Sequence, residues 1–465
     1  MNKIALTLLL NLIALISSGQ NIAGTWKGDL KIQSVTLELV LNIQKTDSGY
    51  LATMDSPDQG TKGIPVSDLS FDQSVLRLSI PAIGMTYEGK MVSDSLITGT
   101  FKQRGQSLPL NLERAAKSRR PQEPLKPYPY YEEAVHFENK AAGIQLAGTL
   151  SLPEQKGTYP VVVLVSGSGP QNRDEELLGH KPFLVLADFL TRNGFAVLRY
   201  DDRGTAASTG NFAKATTRDF ADDALAAVAY LRTRKEINKK KIGIIGHSEG
   251  GVIAPMMAVQ SKDIAFIVTL AGPGVPGASL LLQQQLAIAA ANGVAPEQAE
   301  KSNKVNKALY DIVVKSADEK EAGQQLNSYL KQSFKTELAA AIPAGASEDA
   351  LIQKYVTELS SPWIRYFLKY DPSKDLERLS CPILALFGEK DVQVPAKENA
   401  EAVRNALQKA NNSHASVLEL PNLNHLFQEC STGAPQEYAT IEQTISPKAL
   451  TEILNWLKYQ AKQKH

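Results

Sequence analysis

Leu37, Leu39, Leu41 and Ile43 fall on alternate positions, the period-2 pattern of a strand with one buried face. Shorter runs of the same kind occupy Tyr50 to Met54, Val75 to Ile80, Met85 to Val92 and Leu96 to Phe101. Asp47-Ser48-Gly49 and Ser93-Asp94-Ser95 punctuate them as turns. The pattern predicts a small all-β domain over about 20–115, a barrel or sandwich of about seven strands. Four prolines between Pro121 and Pro129 then rule out a continuing helix or central strand. They mark a stiff linker over 116–131.

From about 132 the rhythm changes to strands alternating with helices. Val161 to Val165 is continuously apolar, as expected of a strand covered on both faces. Further strands are expected at Ala196 to Tyr200, Ile242 to Ile245, Ala265 to Leu270, Ile383 to Phe387 and Val417 to Leu420. Helices are expected at Leu177 to Asn193, Phe220 to Arg234, Gly250 to Gln260, Lys397 to Ala410 and Pro447 to Tyr459. Repeated β-α units imply an α/β fold with a mostly parallel, doubly wound sheet over 132–465. Between about 275 and 375 only helical patterns occur, which predicts a helical cap inserted between two strands.

The first 19 residues carry Lys3, an apolar run from Ile4 to Ile16 and the small Ser17, Ser18 and Gly19. This is the pattern of a signal peptide cut near Gly19, and its apolar run is too short for a convincing span. Export to the periplasm or medium is expected, with no lipid anchor because no cysteine follows the run. The charge balance, 50 Lys+Arg against 49 Asp+Glu, gives no electrostatic reason to expect nucleic acid or an anionic membrane as partner. Cys381 and Cys430 are expected at opposite ends of neighbouring strands, about 20 Å apart. A disulfide needs Cα atoms within about 7 Å, so no bridge is expected.

The chemistry centres on Gly246-His247-Ser248-Glu249-Gly250-Gly251. It fits Gly-x-Ser-x-Gly, with an apolar strand leading in and a small-residue helix leading out. Such a turn strains the serine backbone and lifts its hydroxyl above the sheet. A nucleophilic serine needs a base, and the base needs an acid to fix its tautomer. Of the histidines after Ser248, His425 sits in the loop after the last strand, where groups at strand C-terminal ends gather. Asp391, in Gly388-Glu389-Lys390-Asp391, follows the preceding strand, with Glu389 as second choice. The oxyanion donors are expected to be the amides of Glu249 and Ser168, with Gly169 as alternative to Ser168. Gly169 and Arg173 are candidate substrate contacts, although Gln171 to Glu175 and Asp201-Asp202-Arg203 also read as internal salt bridging. No metal-ligand cluster, Walker loop or dinucleotide motif appears, so no metal and no cofactor are expected.

On these motifs the chain resembles bacterial α/β-hydrolase esterases related to the prolyl-oligopeptidase and serine-aminopeptidase branches, with an N-terminal β domain. The opening Gly24-Thr25-Trp26 also resembles the start of lipocalin-like barrels, with Trp26 expected to plug the core. The hydrolase resemblance implies a carboxylesterase acting on small to medium acyl esters. A serine exopeptidase acting on short peptides is the alternative; it needs a site for a free amine, for which Glu249, Glu348 and Glu358 are candidates. A binding protein on a retained hydrolase scaffold is a third reading, against which the complete set of serine, acid and histidine argues.

Overall fold

The computed structural model describes residues 22–32, 35–46, 49–59, 61–114, 120–336 and 347–463. The signal peptide expected over 1–19 lies outside the described residues. The chain divides into two compact units between Arg119 and Arg120.

The described residues of the first unit form nine strands where about seven were expected: β1 Gly24–Ile32, β2 Val35–Thr46, β3 Gly49–Ser56, β4 Thr61–Pro65, β5 Asp68–Asp72, β6 Val75–Ile80, β7 Met85–Ser93, β8 Leu96–Gln103 and β9 Gln106–Arg114. The two extra strands are β4 and β5, five residues each: β4 shows no alternation, and that of β5 rests on Leu69 and Phe71 alone. All pair antiparallel in the order β4-β3-β2-β1-β9-β8-β7-β6-β5. The chain crossing from β4 to β5 closes this sheet into a half-barrel. Val66 N–H donates to the Ala52 carbonyl on β3 (3.0 Å), and Ser67 N–H to the Ser79 carbonyl on β6 (3.0 Å). Trp26 is fully buried in this core, its indole N–H on the Ile22 carbonyl and the Arg114 guanidinium over its ring.

The second unit is an eight-stranded sheet: β10 Tyr131–Asn139, β11 Ile144–Leu152, β12 Tyr159–Val165, β13 Ala196–Tyr200, β14 Ile237–His247, β15 Phe266–Leu270, β16 Ile383–Gly388 and β17 Ala415–Leu420. Its order is β10-β11-β13-β12-β14-β15-β16-β17. β10 and β11 pair antiparallel at one edge; every pair from β13 onward is parallel. The central strands are buried on both faces, as their unbroken apolar runs require. Helices α1 Pro182–Arg192, α2 Thr217–Leu231, α3 Glu249–Ala258, α9 Ser373–Leu376, α10 Ala396–Lys409 and α11 Pro447–Lys462 connect or cover these strands. This is the α/β-hydrolase architecture. Its strand order reverses at β12, which opens a crevice at the C-terminal ends of the strands.

Between β15 and β16 the chain inserts α4 Gly277–Ala291, α5 Pro296–Lys315, α6 Glu319–Ser333, α7 Glu348–Leu359 and α8 Pro362–Lys369. These helices share a core of their own around Leu309, Leu326, Leu330, Ile352 and Leu368. Cys381 and Cys430 are both free. Among the described residues no helix is long and apolar enough to cross a membrane.

Candidate active site

Strand β14 runs straight into α3 through Ser248, whose backbone is held at φ 53°, ψ −115°. That is a strained conformation for a residue with a side chain. The glycines around it have no room for a methyl group. A Cβ on Gly246 would lie 1.9 Å from the Gly250 carbonyl oxygen, and one on Gly250 would lie 2.1 Å from that of Val165. Gly251 faces Gly272 in the same way, at 2.5 Å from its Cα. Bare backbone thus lets helix and strands interpenetrate, and the serine sits at the head of the helix.

The loops after β16 and β17 bring Asp391 and His425 together. Asp391 Oδ2 lies 2.8 Å from His425 Nδ1. Its other oxygen accepts the amides of Gln393 (2.7 Å) and Val394 (2.9 Å), and the carboxylate is buried. All three partners are donors, so Nδ1 carries the proton and Nε2 of His425 is left as the basic nitrogen. Glu389, the second choice for the acid, instead accepts the Asn422 amide at the surface. The His425 loop is rigid for a local reason: buried Asn424 accepts the amides of Leu426 and Gln428 on its Oδ1, both at 3.0 Å. Gly388 lies beneath it, where a Cβ would meet the Leu423 and Asn424 carbonyls at 2.5 and 2.6 Å.

Ser248 is linked to this pair through its neighbour. The rings of His247 and His425 pack with centroids 4.8 Å apart, and His247 Nε2 reaches the His425 carbonyl oxygen at 3.0 Å. Among the described residues the Ser248 hydroxyl itself makes no hydrogen bond.

The loop after β12 lies against the serine: a Cβ on Gly167 would come within 3.1 Å of Ser248 Cβ. The Gly167 amide donates to Glu175 Oε1 at 2.8 Å. The amides of Ser168, Gly169 and Glu249 donate to no acceptor among the described residues, so they are available to an oxyanion. Buried Asp202 anchors the loop by accepting from Ser166 Oγ and the Gln171 amide, both at 2.9 Å. Burial outweighs these bonds and pushes its pKa up to about 8.

Two residues read from the sequence as candidate contacts are otherwise engaged. Arg173 holds Asp201 through Nε (3.1 Å) and Nη2 (2.6 Å), and Thr149 through Nη1 (2.9 Å). Its donors are thus committed to the internal bridging that its neighbours suggested. The Glu249 side chain is buried, with Thr217 Oγ1 at 2.6 Å and the indole of Trp363, on α8 of the cap, at 2.9 Å; Ser168 donates to it as well. Burial raises its pKa, and these three donors offset only part of that. Trp363 was not read from the sequence, because nothing local marks one indole as the partner of a carboxylate 114 residues away. Glu175 and His247 were likewise missed as a pair. Among the described residues no group of three or more His, Cys, Asp or Glu is placed to hold a metal ion.

This chain is similar to several known proteins. The profile of the X-Pro dipeptidyl-peptidase (S15) family matches residues 142–426. Esterase EstD of Thermotoga maritima is 27% identical over 331 residues, which cover 71% of this chain and 69% of that protein. Solved structures of similar fold include the Pyrococcus furiosus esterase Pf2001, at 15% identity and a TM-score of 0.44, covering 71% of this chain and 91% of that one. Another is Est1E from Butyrivibrio proteoclasticus, at 14% identity and a TM-score of 0.40, covering 71% of this chain and 99% of that one. The family match spans more than half of the chain, from just before β11 to the histidine loop, and so this protein is a serine hydrolase of the X-Pro dipeptidyl-peptidase (S15) family.

Proposed function

We propose that this protein is an exported carboxylesterase that cleaves small to medium acyl esters through Ser248, His425 and Asp391. The observation that carries the reading is the buried Asp391–His425 pair at 2.8 Å, beside a serine held on a strained strand-to-helix turn. In this mechanism His425 Nε2 takes the Ser248 proton and the serine oxygen attacks the ester carbonyl. The amides of Glu249 and Ser168 receive the negative charge on the carbonyl oxygen. His425 then protonates the leaving alcohol, and water attacks the acyl-enzyme by the same route in reverse roles. In this mechanism the serine–histidine hydrogen bond is made when substrate is bound. A run from Ile4 to Ile16, apolar apart from Thr7 and Asn11 and followed by small residues, supports export, and no cysteine follows it to take a lipid.

The family match supports a second reading, release of dipeptides from a peptide amino end. That reaction needs a carboxylate to receive a free amine. Glu249, the candidate beside the serine, is already surrounded by the donors of Thr217, Trp363 and Ser168, which favours the ester.

The test is hydrolysis of p-nitrophenyl acetate, butyrate and octanoate beside aminoacyl- and dipeptidyl-nitroanilides, by wild type and Ser248→Ala. Ester turnover lost in the variant, with inert anilides, is the expected result. Anilide turnover at comparable kcat/KM moves the assignment to peptidase, and turnover that survives in Ser248→Ala overturns both. Amino-terminal sequencing of the protein recovered from the periplasm or medium tests export; a chain still beginning at Met1 refutes it.

A further inference from the structure

His247 is the variable position of the serine motif, yet its side chain is buried and held at both ring nitrogens. Nδ1 lies 2.9 Å from Glu175 Oε1 and Nε2 lies 3.0 Å from the His425 carbonyl oxygen. A carbonyl only accepts. The Glu175 oxygen already accepts the Gly167 amide. Both ring nitrogens therefore face acceptors, an arrangement satisfied when both carry protons. Among the described residues no other donor meets the His425 carbonyl.

The surroundings add a second line. Glu175 and His247 line one small apolar space with Pro182, Phe183 and Leu186 of α1, Ala449 and Ile453 of α11, and Leu270, Leu426 and Phe427. Neither helix presents a charged group to them there. The titratable groups that do face the pair come from the other strand-end loops: Asp391 and His425 beside His247, and Asp202 beside Glu175. An ion pair enclosed by apolar walls costs solvation that its mutual attraction repays only with good geometry and further bonds. Glu175 also adopts φ 50°, a left-handed backbone unusual for a residue with a side chain, and that turn aims its carboxylate at His247 and Gly167.

We infer that His247, as an imidazolium held by Glu175, is the positioning residue that clamps the general-base loop to the oxyanion loop. One end of the clamp is the carbonyl of His425; the other is the Gly167 amide, carried on the same carboxylate oxygen. Burial alone would lower the His247 pKa, but the charge and hydrogen bond of Glu175 and the His425 carbonyl outweigh it and raise the group above its ordinary value. The inference rests on the serine-hydrolase mechanism proposed above, but the charge on His247 can be read without activity.

The test has two readouts on the full chain. In 15N-histidine spectra at pH 7.5, one imidazole is expected with both nitrogens protonated, absent from His247→Gln and neutral in Glu175→Gln. In pH profiles of kcat/KM on p-nitrophenyl butyrate, His247→Gln leaves the Glu175 anion unpaired, and the acidic limb is expected to rise by about one to two pH units. Adding Glu175→Gln to His247→Gln is expected to bring it back. A wild-type His247 that is singly protonated at pH 7.5, or a limb that stays in place in a folded His247→Gln, overturns the inference. If His247→Gln does not fold, Glu175→Gln decides alone: an unchanged His247 spectrum in that variant is the refuting result. Fluorophosphonate labelling of wild type but not of Ser248→Ala tests the mechanism separately; without it the mechanism falls, while the spectra still decide the clamp.

Discussion

Gly250→Ala sets two local effects against each other. Gly250 is the second residue of α3, where alanine is the better helix former by about 1 kcal/mol. Its backbone needs no left-handed conformation, since it is not among the positive-φ glycines. On propensity alone the substitution stabilises. The added Cβ, however, would stand 2.1 Å from the Val165 carbonyl oxygen and 2.8 Å from that of Ser166. Relieving the shorter contact to about 3 Å demands a shift of nearly 1 Å between α3 and the end of β12. Overpacking of this kind costs about 1–3 kcal/mol, enough to cancel the propensity gain and leave a net loss. Both sides of the contact carry site groups: Ser248 on one, and the Ser166 to Gly169 loop on the other. A displacement of about 1 Å at a reacting centre costs roughly 100-fold in rate. The assay is kcat and KM on p-nitrophenyl butyrate with thermal unfolding alongside. Gly293→Ala is the control, since its left-handed φ of 70° has open space around it. That variant is expected to lose about 1 kcal/mol of stability and keep its kcat. A Gly250→Ala enzyme as active and as stable as wild type would refute the argument that interpenetrating backbones build this turn.

Three further outcomes follow from the site. Asp391→Asn keeps a side chain that fits between Gln393, Val394 and His425 but presents His425 with the wrong tautomer; kcat on the same ester should fall by about 10^4 with KM little changed. Asn424→Ala strips the acceptor from two buried amides at about 1–3 kcal/mol each, so urea unfolding should shift to a clearly lower midpoint. Asp202 keeps its proton up to about pH 8 in the fold, whereas an unfolded aspartate loses it near pH 4. Its stabilising contribution is therefore full below about pH 4 and is lost as pH rises toward 8; melting temperatures should fall across that window, and Asp202→Asn should flatten the decline.

The electrostatics of the site have a simple layout. Acidic residues gather at the carboxyl ends of the strands: Glu175 and Asp202 beside the oxyanion loop, Glu249 after the serine, Asp391 before the histidine loop. Each is buried and each is held by donors. They act as anchors for loops, because a buried acid fixes whatever amide or hydroxyl it accepts from. The Trp363 indole on Glu249 extends the same device to the cap. A substitution such as Trp363→Phe should therefore affect the cap and the residue beside the nucleophile together, which a change in KM across the p-nitrophenyl chain lengths would reveal.

The amino-acid sequence by itself determined the parts of this protein that are built from neighbours in the chain. The apolar run Val161 to Val165 could only be a strand buried on both faces, and it is. The motif Gly246 to Gly251 fixed a tight strand-to-helix turn, because a strained serine between bare backbones is a local arrangement. Asp391 and His425 were legible because each follows a strand whose place in the chain order is regular, and the structure puts them 2.8 Å apart. Short or charge-rich strands were not read: in β5 and the edge strand β10 only two apolar positions alternate, Leu69 with Phe71 and Val135 with Phe137, β4 shows no alternation, and pairing with neighbours holds all three. Only the tertiary structure decided the partners of the charged groups. Glu175 meets His247 across 72 residues, Arg173 meets Asp201 across 28, and Trp363 meets Glu249 across 114. Hydrophobic periodicity says which face of an element is buried, but a buried charge must find whichever opposite charge or donor the converging loops bring to it, and that convergence exists only once the sheet has assembled.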